Sequence, residues 1–288
     1  MTNKGAFSRH AMYRTHLDDY AERWSEYFRF KRENGVLEVA MHSDGGEAKW
    51  DLELHRAFIP AFADIHHDPD NEVVILTGTG DGFLSTFDEA SWDRNGFRDP
   101  FEHRHGYDVF YFDQTKEPFS LLNLEIPVIA AINGPLLIHA ELALLNDIVI
   151  ASDRTTIRDT HYTGMGIVPG DGVHTLFREL LGHNRGKYFL LTGETLDAKQ
   201  CLDLGLVSEV VPHEQLLDRA WEIAETVFMA RNRIQRRVTR SLLVQPWREL
   251  FTKELTFGQG LESWACHDYW PMAKEADFDI ANVKQADA

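Results

Sequence analysis

Three short apolar runs constrain the fold of this chain more than any other feature: "EVVILTG" at 72–78, "PVIAAINGP" at 127–135 and "DIVIAS" at 147–152. Their β-branched and small residues do not alternate with polar ones, so each strand must be covered on both faces. The sequence between them is helical or irregular, the pattern of parallel strands joined by right-handed crossovers. "GVLEVAMH" (35–42) reads as a further strand with Gly35 at its start. An amphipathic helix follows in "WDLELHRAFIPAFADIHHDPD", with Trp50, Leu54, Phe58, Ala61 and Ile65 along one stripe. Pro60 should kink that helix, because it removes one backbone donor, and Asp68-Pro69 should close it.

Residues 1–30 read as an N-terminal extension with a helical section, since Leu17, Tyr20, Trp24 and Phe28 recur at helical spacing. A long, aromatic-rich and polar insert occupies roughly 84–124. Beyond "THYTGMGIVPGDGVH" (160–174) the chain is mainly helical. The expected organisation is an extension at 1–30, an α/β core at 31–210 and a helical region at 211–288. That last region has too few strands for a sheet of its own, so it must pack on the core or on a neighbouring subunit.

The 288 residues include 29 Lys and Arg against 46 Asp and Glu, a formal charge of −17. A surface for nucleic acid needs concentrated Lys and Arg, so this balance excludes that class and disfavours an anionic membrane. Two cysteines, Cys201 and Cys266, lie far apart and suggest neither a disulfide framework nor a zinc ribbon. The first residues are polar and acidic, unlike a signal peptide, and nowhere do ~18 apolar residues run together. A soluble, cytoplasmic protein is expected.

The ordered blocks "EVVILTGTGDGFLSTFDEASW", "IPVIAAINGP", "GIVPGDG" and "RGKYFLLTGETLDAKQCLDLGLVSEVVP" resemble the crotonase (enoyl-CoA hydratase/isomerase) superfamily over roughly 30–265. The resemblance implies an α/β ββα-spiral core, a helical C-terminal oligomerisation region and a homotrimer or dimer of trimers. The small-residue and glycine-run motifs of CoA-dependent members are degraded in "GFLSTFDEA" and "NGPLLIHAEL". "VILTGTG", "NGP" with "HAE", and "VPGDG" instead resemble the β-diketone hydrolase branch, the 6-oxocamphor hydrolases, which cleave a C–C bond without CoA or any other cofactor. A small-molecule diketone is then the implied substrate. The rival readings are a CoA-thioester hydratase or isomerase and a catalytically silent crotonase-fold subunit.

By this resemblance His139, Asp171, Trp50, His55 and Glu262 fall on functional positions. Hydrolysis of a β-diketone needs a base for water, donors for two oxyanions and an acid to return a proton to carbon. His139 would be an oxyanion donor, the Ser85 amide another, and Glu262 would handle the proton. His55 would donate to a substrate carbonyl, and Trp50 and Trp92 would wall a bulky ring. Asp171, between two glycines before a helix, equally reads as an N-cap. Glu141 reads as an ordinary first-turn carboxylate. The branch carries a water-activating histidine seven residues before the proline of "VPGDG"; here that position is Tyr162, with His161 one residue earlier. Equal spacing puts Tyr162 toward the substrate and His161 away, whereas a one-residue shift of the loop would pair His161 with Asp171. A metal site from His161, Asp171 and His174 matches no zinc spacing, and "PGDGVH" lacks the Lys-Ser/Thr of a phosphate loop.

Overall fold

The structure is a computed structural model that describes residues 13–94 and 111–268. A short helix, α1 (Leu17–Arg23), precedes strands β1 (Phe28–Glu33) and β2 (Val36–Met41). Asn34 (φ 50°) and Gly35 (φ 85°) both adopt the left-handed conformation that a two-residue Asn-Gly hairpin turn demands. They close an antiparallel pair in which Glu33 faces Val36. Phe28 therefore begins a strand and does not extend the preceding helix, which stops at Arg23. Tyr20 and Trp24 pin α1 to the core, donating to Asp68 Oδ2 at 3.1 Å and Asp64 Oδ2 at 2.9 Å.

The remaining elements follow in order: β3 (Lys49–Trp50), α2 (Leu52–His67), β4 (Val73–Gly78), β5 (Thr86–Phe87), α3 (Glu89–Arg94), α4 (Glu117–Leu122), β6 (Val128–Ile132), α5 (Glu141–Leu144), β7 (Ile148–Ser152) and β8 (Thr156–Ile157). Then come a π-turn (His161–Met165), α6 (Val173–Leu181), α7 (His183–Thr192), β9 (Leu196–Asp197), α8 (Ala198–Asp203), β10 (Glu209–Val211), α9 (Leu216–Ile223) and α10 (Arg233–Asp268). The main sheet has the order β1-β2-β4-β6-β7-β10, parallel throughout except for β1. Every residue of β4 and β6 is buried, as their uninterrupted apolar sequence requires.

One sheet face, through Val39, Leu76, Ala130 and Ile132, packs in a core with Phe58 and Phe62 of α2, whose rings stack at 4.3 Å. The other, through Val73, Ile75, Ile129 and Ile150, is sealed by Leu216, Ala220 and Ile223 of α9. Each Val, Leu, Ile or Phe among them taken fully out of water contributes about 1.5–3 kcal/mol. Two sequence expectations change here. Trp50 lies in β3, paired with β5, and α2 starts after it, with Asp51 accepting from the Leu54 amide at 2.6 Å. Moreover, α2 runs unbroken through Pro60, which is exposed, so water can serve the carbonyl that the missing N–H would have served.

The C-terminal helices pack on their own chain. Buried Arg240 of α10 donates to Asp147 Oδ2 at 2.7 Å, to the Leu121 carbonyl at 3.0 Å and to the Leu124 carbonyl. Arg248 donates to the Leu122 carbonyl at 2.6 Å. These two cations cap the C-terminal end of α4. They thereby fix the helix whose other end carries Glu117.

Candidate active site

The site lies where the loops after β4 and β6 are laced together. The Asn133 amide group donates to the Gly80 and Gly82 carbonyls at 2.8 and 3.0 Å and accepts from the Gly78 amide at 3.2 Å. The Leu137 amide donates to the Leu84 carbonyl at 2.9 Å, which brings Ser85 beside the segment leading to His139. The Ser85 hydroxyl donates to Glu47 Oε1. His139 itself has φ 51°, a left-handed backbone that costs a non-glycine residue roughly 1–2 kcal/mol. Strain held at a buried polar residue makes it a candidate functional group.

Three carboxylates converge on one nitrogen of the His139 ring. Its Nδ1 is 2.6 Å from Glu141 Oε1, 3.5 Å from Asp171 Oδ2 and 3.7 Å from Glu117 Oε2. Burial by itself would lower the His139 pKa, but Glu141 and then Glu117 outweigh it and hold the imidazolium up to about 9. Burial also raises Glu141, against the pull of His139, which it meets at 2.6 Å. With Nδ1 engaged by Glu141, Nε2 is the ring nitrogen left to serve a ligand.

The segment after β8 corrects the reading of Tyr162. Its hydroxyphenyl is 55 % exposed, whereas His161 is buried with Nε2 at 3.2 Å from Asp171 Oδ2. The cause is the π-turn. The amides of Gly164 and Met165 both reach the Thr160 carbonyl, at 2.9 and 2.7 Å, so the turn absorbs one residue more than an α-turn would. Counting back from the proline therefore points to the wrong side chain. Asp159 completes the arrangement, accepting from His161 Nδ1 at 2.9 Å and from the His161 amide at 3.2 Å. Against the penalty of burial, Asp171 and then Asp159 hold His161 well above the usual histidine range. Burial would raise Asp171 too, but the His161 cation overrides it and keeps this carboxylate below its usual range.

Asp171 stands just before α6, whose N-cap is Gly172, and is not itself the cap. Oδ1 accepts from the Val173 amide at 3.3 Å at the start of α6, while Oδ2 faces the two histidines. The loop that carries it is met directly by α10. A Cβ at Gly170 would lie 2.3 Å from the Gly258 carbonyl oxygen and 2.7 Å from Glu262 Cβ, so only glycine permits this approach. The contact delivers Glu262 to the site from the same chain, 1 % exposed. Burial, reinforced by Asp171, pushes its carboxyl up to about 8, so it holds a proton at neutral pH.

Aromatic rings form the opposite wall. Trp50 lies over His139 at 4.3 Å and meets His55 edge-on at 5.7 Å. Trp92 is 5.9 Å from His55 and stacks on Phe87 at 5.3 Å. Burial first, and the His139 charge second, push His55 down to about 3, so it stays neutral. The site thus gathers Trp50, His55, Trp92, His139, His161, Asp171 and Glu262. Tyr162 turns outward, and residues 95–110 of the 84–124 insert lie outside the described residues.

Three acidic residues escape a reading of the sequence. Glu141 looks like a solvated helix start but is fully buried on His139. Asp159 sits two residues before His161, a spacing with no signature of its own. Glu117 comes from the insert, in "TKEPFS", with only the Pro at the second helical position to mark its place. Ligating atoms of Glu117, His139 and Glu141 lie within 4.8 Å of one another. The 2.6 Å approach of Glu141 to His139 is that of a hydrogen-bonded pair rather than of two ligands on one ion.

The sequence matches the enoyl-CoA hydratase/isomerase family over residues 31–269. It is 30% identical over 205 residues to a carnitinyl-CoA dehydratase from Citrobacter koseri, covering 70% of this chain and 74% of that protein. A β-diketone hydrolase from the cyanobacterium Anabaena sp. PCC 7120, bound to (S)-3-oxocyclohexyl acetic acid, superposes with a TM-score of 0.81. The identity is 40%, over 87% of this chain and 97% of that one. An enoyl-CoA hydratase/isomerase from Mycobacterium paratuberculosis shares the fold at a TM-score of 0.73 and 19% identity, covering 84% and 94% of the two chains. Among the described residues no helix is long and apolar enough to cross a membrane. The chain belongs to the enoyl-CoA hydratase/isomerase family and, within it, is close to a β-diketone hydrolase.

Proposed function

We propose that this protein hydrolyses a C–C bond of a cyclic β-diketone to give a keto acid, without a cofactor. The observation that carries the reading is the contact of His161 Nε2 with Asp171 Oδ2 at 3.2 Å, facing His139 and a wall of tryptophans. In its deprotonated form His161 keeps Nδ1–H on Asp159, and Nε2, which then lies beside Asp171 without a proton, takes one from water as the water oxygen bonds to one carbonyl carbon. His139 Nε2–H and the Ser85 amide stabilise the resulting oxyanion. The C–C bond then breaks, its electron pair moves into the enolate of the second ketone, and Glu262 returns a proton to carbon. A carboxylic acid and a ketone remain.

Two further facts support this reading over its rivals. The relative with 40% identity holds a cyclohexanone bearing an acetic acid arm, the product expected when water opens a bicyclic β-diketone between its carbonyls. The burial of His161 against Asp171 weighs against a silent subunit. The hydratase reading keeps the support of the carnitinyl-CoA dehydratase relative. The test is to incubate the protein with a bicyclic β-diketone and, separately, with crotonyl-CoA, and to follow mass. Gain of one water with ring opening is expected; hydration of the thioester alone would overturn the proposal.

A further inference from the structure

One corner of the site has polar atoms that the His161–Asp171 pair does not use. Neither ring nitrogen of His55 has a hydrogen-bond partner among the described residues, and the same holds for Glu117 Oε1. Both side chains are buried, at 0 % and 1 % exposure. Their closest approach, His55 Nε2 to Glu117 Oε2, is 3.8 Å, too long for a hydrogen bond between them. Unpaired buried donors and acceptors cost about 1–3 kcal/mol each, so a cluster of them is built to meet a ligand. Trp50 and Trp92 flank His55, so the ligand group that enters must be a small polar atom on an apolar ring.

We infer that Glu117 and His55 form the subsite for the second ketone of the substrate, the one that becomes the enolate, with the Glu117 carboxylic acid donating to its oxygen. This rests on the diketone reading above and adds a catalytic residue to it. Burial first, with Glu141 and Asp171 beside it, holds Glu117 well above the usual carboxylate range against the pull of His139. A neutral acid both donates and adds no negative charge next to a forming enolate. When the C–C bond breaks, the electron pair it releases passes into the new C=C bond and the charge settles on the ketone oxygen. The Glu117 O–H stabilises that charge and keeps its proton; the proton that restores the ketone comes to carbon from Glu262.

The test uses the keto acid product and its deoxo analogue, cyclohexylacetic acid, in calorimetric titrations that need no turnover. The wild-type protein should bind the keto acid about tenfold more tightly, the value of one well-made hydrogen bond. Glu117→Leu should bind both acids equally, and Glu117→Gln, which still donates, should keep most of the preference. In diketone turnover Glu117→Leu should lower kcat more than it raises KM. No preference in the wild type, or a preference unchanged in Glu117→Leu with its thermal transition intact, overturns the subsite. Failure of the wild type to open the diketone, with the ketone preference present, would instead overturn only the proposed reaction.

Discussion

His161 and Asp171 meet at 3.2 Å because a π-turn between them takes up a residue that a plain count of the sequence would leave over. The consequence is a direct contrast between neighbours. Replacing His161 by Ala should lower diketone turnover by about 10²–10⁴-fold, the usual contribution of a positioned base. Replacing Tyr162 by Phe should leave it within about twofold, because its ring stands in solvent. Steady-state rates of the two variants decide the matter, and the opposite ranking would sink the proposed base.

The pH profile should be bell-shaped. Water activation needs neutral His161, whose pKa is raised by Asp171, so activity climbs with pH on that side. Glu262 must keep its proton, so activity falls as the pH passes about 8. Glu262→Gln should abolish the falling limb at a reduced rate. Asp171→Asn removes the anion beside His161 and should move the rising limb to lower pH. Profiles of kcat/KM for the three proteins test this; a falling limb unchanged in Glu262→Gln would reject Glu262 as its source.

The pair also sets how stability responds to pH. Asp171 is depressed in the folded state, so its contribution is present above ordinary carboxylate values near ~4 and is lost as pH falls through its lower folded value. His161 is raised, so its contribution is complete below ~6.5 and is lost as pH rises through its higher folded value. Urea titrations should therefore show that His161→Gln loses most stability relative to wild type between about pH 4 and 6.5, and less at either extreme.

Gly258 and Gly170 hold α10 against the Asp171 loop at a distance that leaves no room for a side chain. Gly258→Ala should destabilise the protein by about 1–3 kcal/mol by overpacking and displace Glu262. The measurable signature is a lower unfolding midpoint together with a weaker falling limb of the pH profile.

Arg240 joins α10 to Asp147 and to the end of α4. Arg240→Met leaves Asp147 without its cation and two carbonyls without a donor, and should cost about 3–5 kcal/mol in urea unfolding. Because α4 carries Glu117 at its far end, any folded fraction should also lose selectivity for the ketone group.

Much of this protein is fixed by local sequence. Unbroken β-branched runs require strands buried on both faces, and "PVIAAINGP" could become little else than the centre of a parallel sheet. The family resemblance carried by the blocks from "EVVILTG" to "VPGDG" points to Asp171, His139, Trp50 and His55, and the fold brings these four side chains together. Tertiary structure decided the rest. The π-turn exchanged Tyr162 for His161, since hydrogen bonding to one carbonyl, and not residue counting, sets the phase of a loop. Packing turned Glu141 from a solvated helix start into a buried partner of His139, and α10 with its arginines holds α4 so that Glu117 from the insert joins the same buried cluster. Charge in a cavity depends on which distant segments share it, and a linear pattern of residue types does not contain that distance.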